Sequence, residues 1–266
     1  MHNAIMQKRG NMIIDAHVHV STSENENPRS EIKNLIKSMN KNGIDKAVVF
    51  SFGNGIEKQK KLAELIKPYS DRFIPLAFIN PKDADAKEQL LFCLDELGFY
   101  GAKMHPWFGN YRLDDIELLR PVMEVLNERG LYTVIHCTSD DDRMHPLMFE
   151  RLGLEFPNVI IQMAHMGEVM AGEYAVAVAK RVPNVYLDTS ITSFKAVREV
   201  MEECPDKVFM GCDFPFYLFE MEIQKQKLAA KDFGDDGPMK KIMGENFARV
   251  FHLKEGDYFW LKNEHR

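Results

Sequence analysis

Two histidines, one residue apart, end the apolar stretch MIIDAHVHV at residues 12–20. A strand has period two, so Asp15, His17 and His19 are expected on one face, with the two imidazoles about 7 Å apart. Rings so placed could grip one ion, or they could be ordinary polar side chains. Residues further along the chain favour the ion. His136 closes TVIH, His165 lies in MAHMGE, and Asp213 lies in GCDFPF. Three neutral imidazoles and a carboxylate (His17, His19, His136 and Asp213) make a nitrogen-and-oxygen set suited to a divalent cation. His165 could be a ligand, a base or a helix-capping residue. Lys103 and His105, in GAKMHP, are two apart and therefore co-facial. Lys103 reads as a rim ion pair, a substrate anchor, or a carboxylated lysine bridging two ions. Trp107, Phe108 and Tyr111, like Phe214 and Phe216, read as pocket lining or as plain packing. Arg112 and Arg143 read as a carboxylate clamp or as surface residues.

These side chains need a scaffold that brings them together. Eight short apolar or β-branched runs recur: MIIDAHV, DKAVVFSF, RFIPLAFIN, YGAKMHP, LYTVIHC, VIIQMAH, NVYLDTS and KVFMGCD. Amphipathic stretches such as SEIKNLIKSMNKNG and DDIELLRPVMEVLNERG separate them. Ser30 and Asp114 are expected as N-caps and Gly43 and Gly130 as C-caps, with Pro121 kinking the second stretch. Strands alternating with helices imply a parallel sheet, and eight units in one chain favour an α/β fold of the (β/α)8 TIM-barrel type. An open doubly wound sheet is the competing architecture, but neither G-x-G-x-x-G nor a P-loop pattern is present. The reading is a tail over 1–11 and a single barrel domain over 12–266. A C-terminal helix from GPMKKIMGENFARVFHL is expected to pack on it. Active sites of such barrels lie at the C-terminal ends of the strands. His17, His19, His105, His136 and His165, five of the nine histidines, fall there together with Lys103 and Asp213.

The composition narrows the partners. The chain has 266 residues and net charge −6, with no basic stripe that would suit nucleic acid or an anionic membrane. No apolar run approaches a membrane span, and the start of the chain lacks the apolar core of a signal peptide, so Met12 is an alternative start. The four cysteines form no C-x-x-C pair and read as reduced, mostly buried thiols of a cytoplasmic protein. A small-molecule substrate is expected, and self-association into a homo-oligomer is compatible with this composition.

The motifs DAHVH, GAKMHP, VIHC, MAHMGE, GCDFPF and GENFARVF occur in order across residues 12–251. In this the chain resembles the amidohydrolase superfamily, and within it the amidohydrolase 2 branch of TIM-barrel metal-dependent hydrolases and decarboxylases. The resemblance implies zinc, or manganese, iron or cobalt, on His17, His19, His136 and Asp213. It also implies His165 close to the metal as proton shuttle or substrate contact. Lys103, His105 and Trp107, at and just after the end of the fourth strand, are expected toward the substrate. The Lys-x-His-Pro motif resembles the mononuclear branch. Decarboxylase members often carry a long insertion after strand 1, for which residues 21–30 leave no room. Hydrolysis of an amide, ester or lactone is therefore the expected reaction and decarboxylation the alternative. A TatD-like nuclease would show a glutamate within a G-E-x-G-L-D-like run, which GAKMHPW is not. In the expected mechanism Asp213 takes a proton from metal-activated water, and Asp213 or His165 passes it to the leaving group.

Overall fold

The computed structural model describes residues 12–168 and 172–253, and the tail read over 1–11 lies outside them. All eight expected runs are strands. They are β1 Ile14–Val20, β2 Lys46–Ser51, β3 Phe73–Pro75 with β4 Ala77–Phe78, β5 Gly101–Met104, β6 Tyr132–Ile135, β7 Ile160–Met163, β8 Val185–Asp188 and β9 Val208–Phe209. β3 and β4 are one run broken only at Leu76, whose N–H donates to Val49 O at 2.9 Å. Neighbouring strands pair in parallel from β1 to β3 and from β4 to β9. The ends of the series meet. Ala16 N–H donates to Met210 O (2.7 Å), Asp213 N–H to His17 O (2.9 Å) and His19 N–H to Phe214 O (2.8 Å). An open sheet would leave β1 as an unpaired edge. The chain instead forms the (β/α)8 barrel that the alternation implies.

The helices follow from their apolar stripes. In α1 (Ile32–Asn42), Leu35 and Met39, four apart, are fully buried, and the helix stops at Gly43, whose φ of 70° is the left-handed C-cap conformation. α2 is Ile56–Ile66, α3 Ala86–Asp95, α4 the short turn Pro106–Gly109, and α5 Ile116–Glu128. α5 continues through Pro121. Two expected caps are displaced by one residue. Asp115, not Asp114, accepts the Leu118 N–H at 3.2 Å, because Asp114 is engaged by Arg112. Ser30 ends a 3-10 turn and its hydroxyl is held by Ser21 and the Asn27 carbonyl, so it does not cap α1. α6 (Met148–Glu155), α7 (Gly172–Arg181), α8 (Phe194–Glu203) and α9 (Phe219–Ala230) complete the outer layer.

The terminal helix is broken into α10 (Gly237–Lys240), a π-helical turn at Lys241–Glu245, and α11 (Asn246–Val250). The Ile242 carbonyl is diverted to the Met210 N–H at 2.8 Å, outside the helical ladder. At Gly244 a Cβ would lie 1.9 Å from Met12 O, so only glycine lets this turn approach the start of β1. Phe247 then packs on Phe209 and Tyr132, closing the end of the barrel opposite the site.

One expectation about β1 fails. Asp15 pairs with Ala47 and His19 with Phe50, but the register shifts between Asp15 and Val18. Ala47 belongs to the layer under the helices, whereas Phe50 packs inside the barrel. A β-bulge has therefore broken period two. Asp15 lies on the outer face, while His19 follows Phe50 inward, and Phe50 also meets His17 edge-on at 5.1 Å. Asp15 holds the bulge, because its Oδ1 accepts the N–H groups of His17 (2.9 Å) and Cys212 (3.1 Å).

Candidate metal centre

All the strand-end residues singled out by type line one cavity of about 780 Å3: His17, His19, Lys103, His105, His136, His165 and Asp213. Its floor is buried. His17 Nε2 lies 3.2 Å and His19 Nε2 3.3 Å from the same oxygen, Asp213 Oδ1. That oxygen is buried and accepts no well-directed hydrogen bond. Two imidazole nitrogens and a carboxylate oxygen therefore converge without a well-directed hydrogen bond between them, an arrangement that a cation satisfies. Among the described residues, one nitrogen each of His17 and His165 and a carboxylate oxygen of Asp213 lie within 4.8 Å of one another. His19 joins this group through Asp213. His136 reaches it through His165, with its Nδ1 3.0 Å from His165 Nε2.

The electrostatics suit the same purpose. Burial opposes charge on Asp213, but His17 and His19 beside it hold the carboxyl well below its ordinary range. Burial and Lys103 depress His17, yet Asp213 and Asp188 on either side outweigh them and raise it. A positive charge at this point is thus favoured. Burial lowers His19 and pushes His165 down to about 3 and His105 to about 2, so these rings are neutral. Lys103 is fully buried, 3.5 Å from His17 Nε2, with its ammonium over the Phe50 ring at 4.9 Å. Burial lowers it to about 8, against the pull of Asp213 and Asp188.

Around the floor, His105 stacks on His136 with centroids 3.8 Å apart and caps α4, its Nδ1 accepting the Phe108 N–H at 3.5 Å. Trp107, Phe108 and Phe216 form a half-exposed aromatic rim, at 51%, 70% and 62% exposure. Tyr111 and Phe214 are buried and do not line the cavity. Arg112 pairs with Asp114 and Asp142, and Arg143 with Asp141; neither arginine lines the cavity, so the clamp reading lapses. Several backbones at the rim are left-handed although not glycine, among them His165 (φ 63°), Glu168 (61°), Ile191 (59°) and Asp213 (60°), a concentration typical of functional sites.

Residue type alone missed Asp188, the residue on which the site turns. At the end of β8 its Oδ2 accepts from His17 Nδ1 (2.9 Å) and Gln162 Nε2 (2.6 Å). Its Oδ1 accepts from the backbone N–H groups of His165 and Ser190, each at 3.0 Å, and contacts the Ser190 hydroxyl. The strand-end rule that picked out the histidines also reaches this position. Gln162, Ser190 and the cavity-lining Glu168 carried no such signal.

Fold and site together define a (β/α)8 barrel with a histidine- and aspartate-built centre at the C-terminal ends of its strands. The family described as Amidohydrolase matches residues 14–253, and the chain belongs to it. No curated protein matches the sequence. Among solved structures, 2,6-dihydroxybenzoate decarboxylase complexed with 2,6-dihydroxybenzoate is similar with TM-score 0.72 and 16% identity, over 91% of this chain and 100% of that one. The 5-carboxyvanillate decarboxylase of Novosphingobium aromaticivorans, complexed with manganese and a nitrobenzoic acid, gives 0.71 and 18%, over 92% and 97%. An uncharacterized TIM-barrel protein of Bordetella bronchiseptica gives 0.70 and 17%, over 91% and 98%. At these identities the likeness is one of fold. Among the described residues no helix is long and apolar enough to cross a membrane.

Proposed function

We propose that the protein is a metal-dependent hydrolase acting on an amide, ester or lactone carbonyl of a small molecule. The observation that carries this reading is the buried Asp213 carboxylate, one oxygen of which faces two imidazole nitrogens without a well-directed hydrogen bond. His17, His19, His136 and Asp213 would hold the ion, zinc by preference, with manganese, iron or cobalt compatible with the same donors. When bound, the ion supplies Lewis acidity and lowers the pKa of a water. Asp213 accepts the proton of the attacking water. His165, neutral and buried at the same mouth, carries the proton toward the leaving group. The Lys103 ammonium anchors an anionic substrate group from the floor, and His105 and Trp107 contact the remainder of the substrate. Four free, buried cysteines support a reducing compartment such as the cytoplasm.

A second reading is decarboxylation of a small carboxylic acid. It is favoured by the buried lysine beside His17, a countercharge for a carboxylate, and by the fold likeness to decarboxylases. The two readings separate in one experiment. Metal-reconstituted protein is offered a panel of esters, lactones, amides and aromatic acids, with acid release and CO2 release followed in parallel. Acid release that disappears in Asp213→Asn supports hydrolysis. CO2 without acid release replaces it with the second reading.

A further inference from the structure

The inner face of α9 carries polar residues where a helix packed on a barrel is expected to be apolar. Glu222, Lys225 and Gln226, three and four apart, share that face. Glu222 and Gln226 are buried, and the Lys225 side chain is 18% exposed. Their bonds converge on one turn, residues 189–192, which leads from β8 to α8. The three protons of the Lys225 ammonium have three acceptors: Glu222 Oε2 (2.8 Å), Thr189 O (2.7 Å) and Thr192 O (3.2 Å). Thr189 Oγ1 donates to Glu222 Oε1 (2.7 Å) and accepts from Gln226 Nε2 (2.9 Å). Thr192 Oγ1 closes the turn on the Thr189 carbonyl at 2.8 Å. Between the two bridged carbonyls lies Ile191, which lines the cavity with a φ of 59°. A β-branched side chain resists that left-handed conformation, which persists only where its surroundings impose it. Here one ammonium holds the carbonyls on both sides of it. An ion pair of the same spacing at Glu57 and Lys60 is exposed and holds nothing else. Burying a pair costs the hydration of both charges, and apolar residues would cover the barrel equally well. The use of the Glu222–Lys225 pair therefore lies in where it aims the ammonium.

We propose that Lys225, outside the barrel, is a positioning residue: with Glu222 it pins the turn at residues 189–192, holds Ile191 left-handed, and so sets a wall of the cavity against which the substrate is selected. The selection of a substrate rests on the function proposed above; the pinning of Ile191 does not.

The test is NMR of the protein labelled with 15N-isoleucine, the Ile191 amide being assigned by its loss in Ile191→Val. The NOE from that amide to its own Hα is strong only at positive φ, and it is expected to be strong in the wild type. A weak one overturns the proposal without any further variant. Lys225→Met alone would strand a buried carboxylate. It is therefore combined with Glu222→Gln, which removes both charges and leaves Thr189 an acceptor. In this double variant the Ile191 NOE is expected to fall severalfold as φ turns negative. Lys225→Arg, whose guanidinium can bridge the same two carbonyls, is expected to keep it. An unchanged NOE in the double variant overturns the proposal, since the pair would then only cover the barrel. Across the ester panel, the preference between a bulky and a small acyl group is expected to shift about tenfold in Ile191→Gly and in the double variant alike. Lys225→Arg is expected to select as the wild type does. A shift in Ile191→Gly alone, or in neither, also overturns the proposal. If the wild type turns over no member of the panel, the hydrolase reading fails, and the NOE by itself decides whether Lys225 sets Ile191.

Discussion

Asp188 Oδ2 and His17 Nδ1 lie 2.9 Å apart across 171 residues of chain, both fully buried. The pair joins β8 to β1 beneath the cavity and orients the ring that faces Asp213. Removing one partner of a buried charged pair leaves the other uncompensated, at a cost of about 3–5 kcal/mol. Asp188→Asn is expected to lose a free energy of that order in urea unfolding at pH 7. Burial opposes the charge, but His17, His165 and Ser190 hold the Asp188 carboxyl far below its ordinary range. Its contribution is therefore present above the unfolded carboxyl pKa and is lost as pH falls toward the folded value. The gap between wild type and Asp188→Asn should close below about pH 4. A gap that persists undiminished into acid would remove charge from the explanation.

Asp213→Asn keeps the shape of the residue and deletes its capacity to take a proton. Turnover of any substrate found in the panel is expected to fall by about 10²–10⁴-fold, with the fold intact by circular dichroism. Metal content, measured by mass spectrometry, should fall less than turnover does, because the imidazoles remain. Wild-type turnover in this variant would remove Asp213 from the proton step.

Gly211 packs against the same pair. A Cβ there would lie 3.1 Å from Asp188 Cγ and 3.2 Å from His17 Cβ, tighter than ordinary contact. Gly211→Ala is expected to cost about 1–3 kcal/mol of stability, the range for overpacking a filled core. It should also weaken zinc binding, because His17 or Asp188 must move. Calorimetry on the variant checks both effects, and unaltered zinc affinity would mean the pair yields without consequence.

These predictions rest in part on features visible before any coordinates. Strand and helix periods are local, so all eight strands could be read from residue order. The strand-end rule placed His17, His19, Lys103, His105, His136, His165 and Asp213 around one cavity. What could not be read is set by contact between distant segments. The side of the sheet that Asp15 faces depends on its pairing with Ala47 and on the bulge that follows. The partner of Asp188 is a ring in the first strand. The break in the terminal helix arises because Met210 captures the Ile242 carbonyl. The one-residue errors at Ser30 and Asp114 are of another kind, since in each case a competing local bond consumed the side chain expected to cap.

Lys103 gives the site an alkaline signature. Its ammonium is fully buried, and burial pushes its pKa down to about 8. The unfolded chain, with an ordinary lysine near 10.4, binds more protons than the folded protein between those values, so stability of the metal-free protein rises with pH across that interval. Below about 8 the cost of burying the charge is constant. Lys103→Met, similar in shape and uncharged, should be more stable than wild type at pH 7, with the difference shrinking by pH 10. Urea unfolding at the two pH values measures this. The same variant should raise KM for an anionic substrate more than it lowers kcat, because the anchor is lost and the proton carriers are not.

Metal linkage tests the centre without any substrate. A ligand that binds only the folded state stabilises it by RT ln(1 + [L]/Kd), about 2.7 kcal/mol at a hundredfold excess over Kd. Chelator-treated protein is therefore expected to melt several degrees lower than protein with zinc restored, a shift of about 2–4 °C per kcal/mol for a chain of this size. In His17→Gln and in Asp213→Asn the zinc-dependent increment should shrink, because each removes a donor from the convergent set. His145, half-buried beside the ring of Tyr174 and outside the main cavity, serves as the control. His145→Gln should keep the full increment. If zinc raised the melting temperature equally in all of these proteins, it would be binding elsewhere on the chain, and the facing of His17 and His19 toward Asp213 would have to be explained as a proton-sharing cluster.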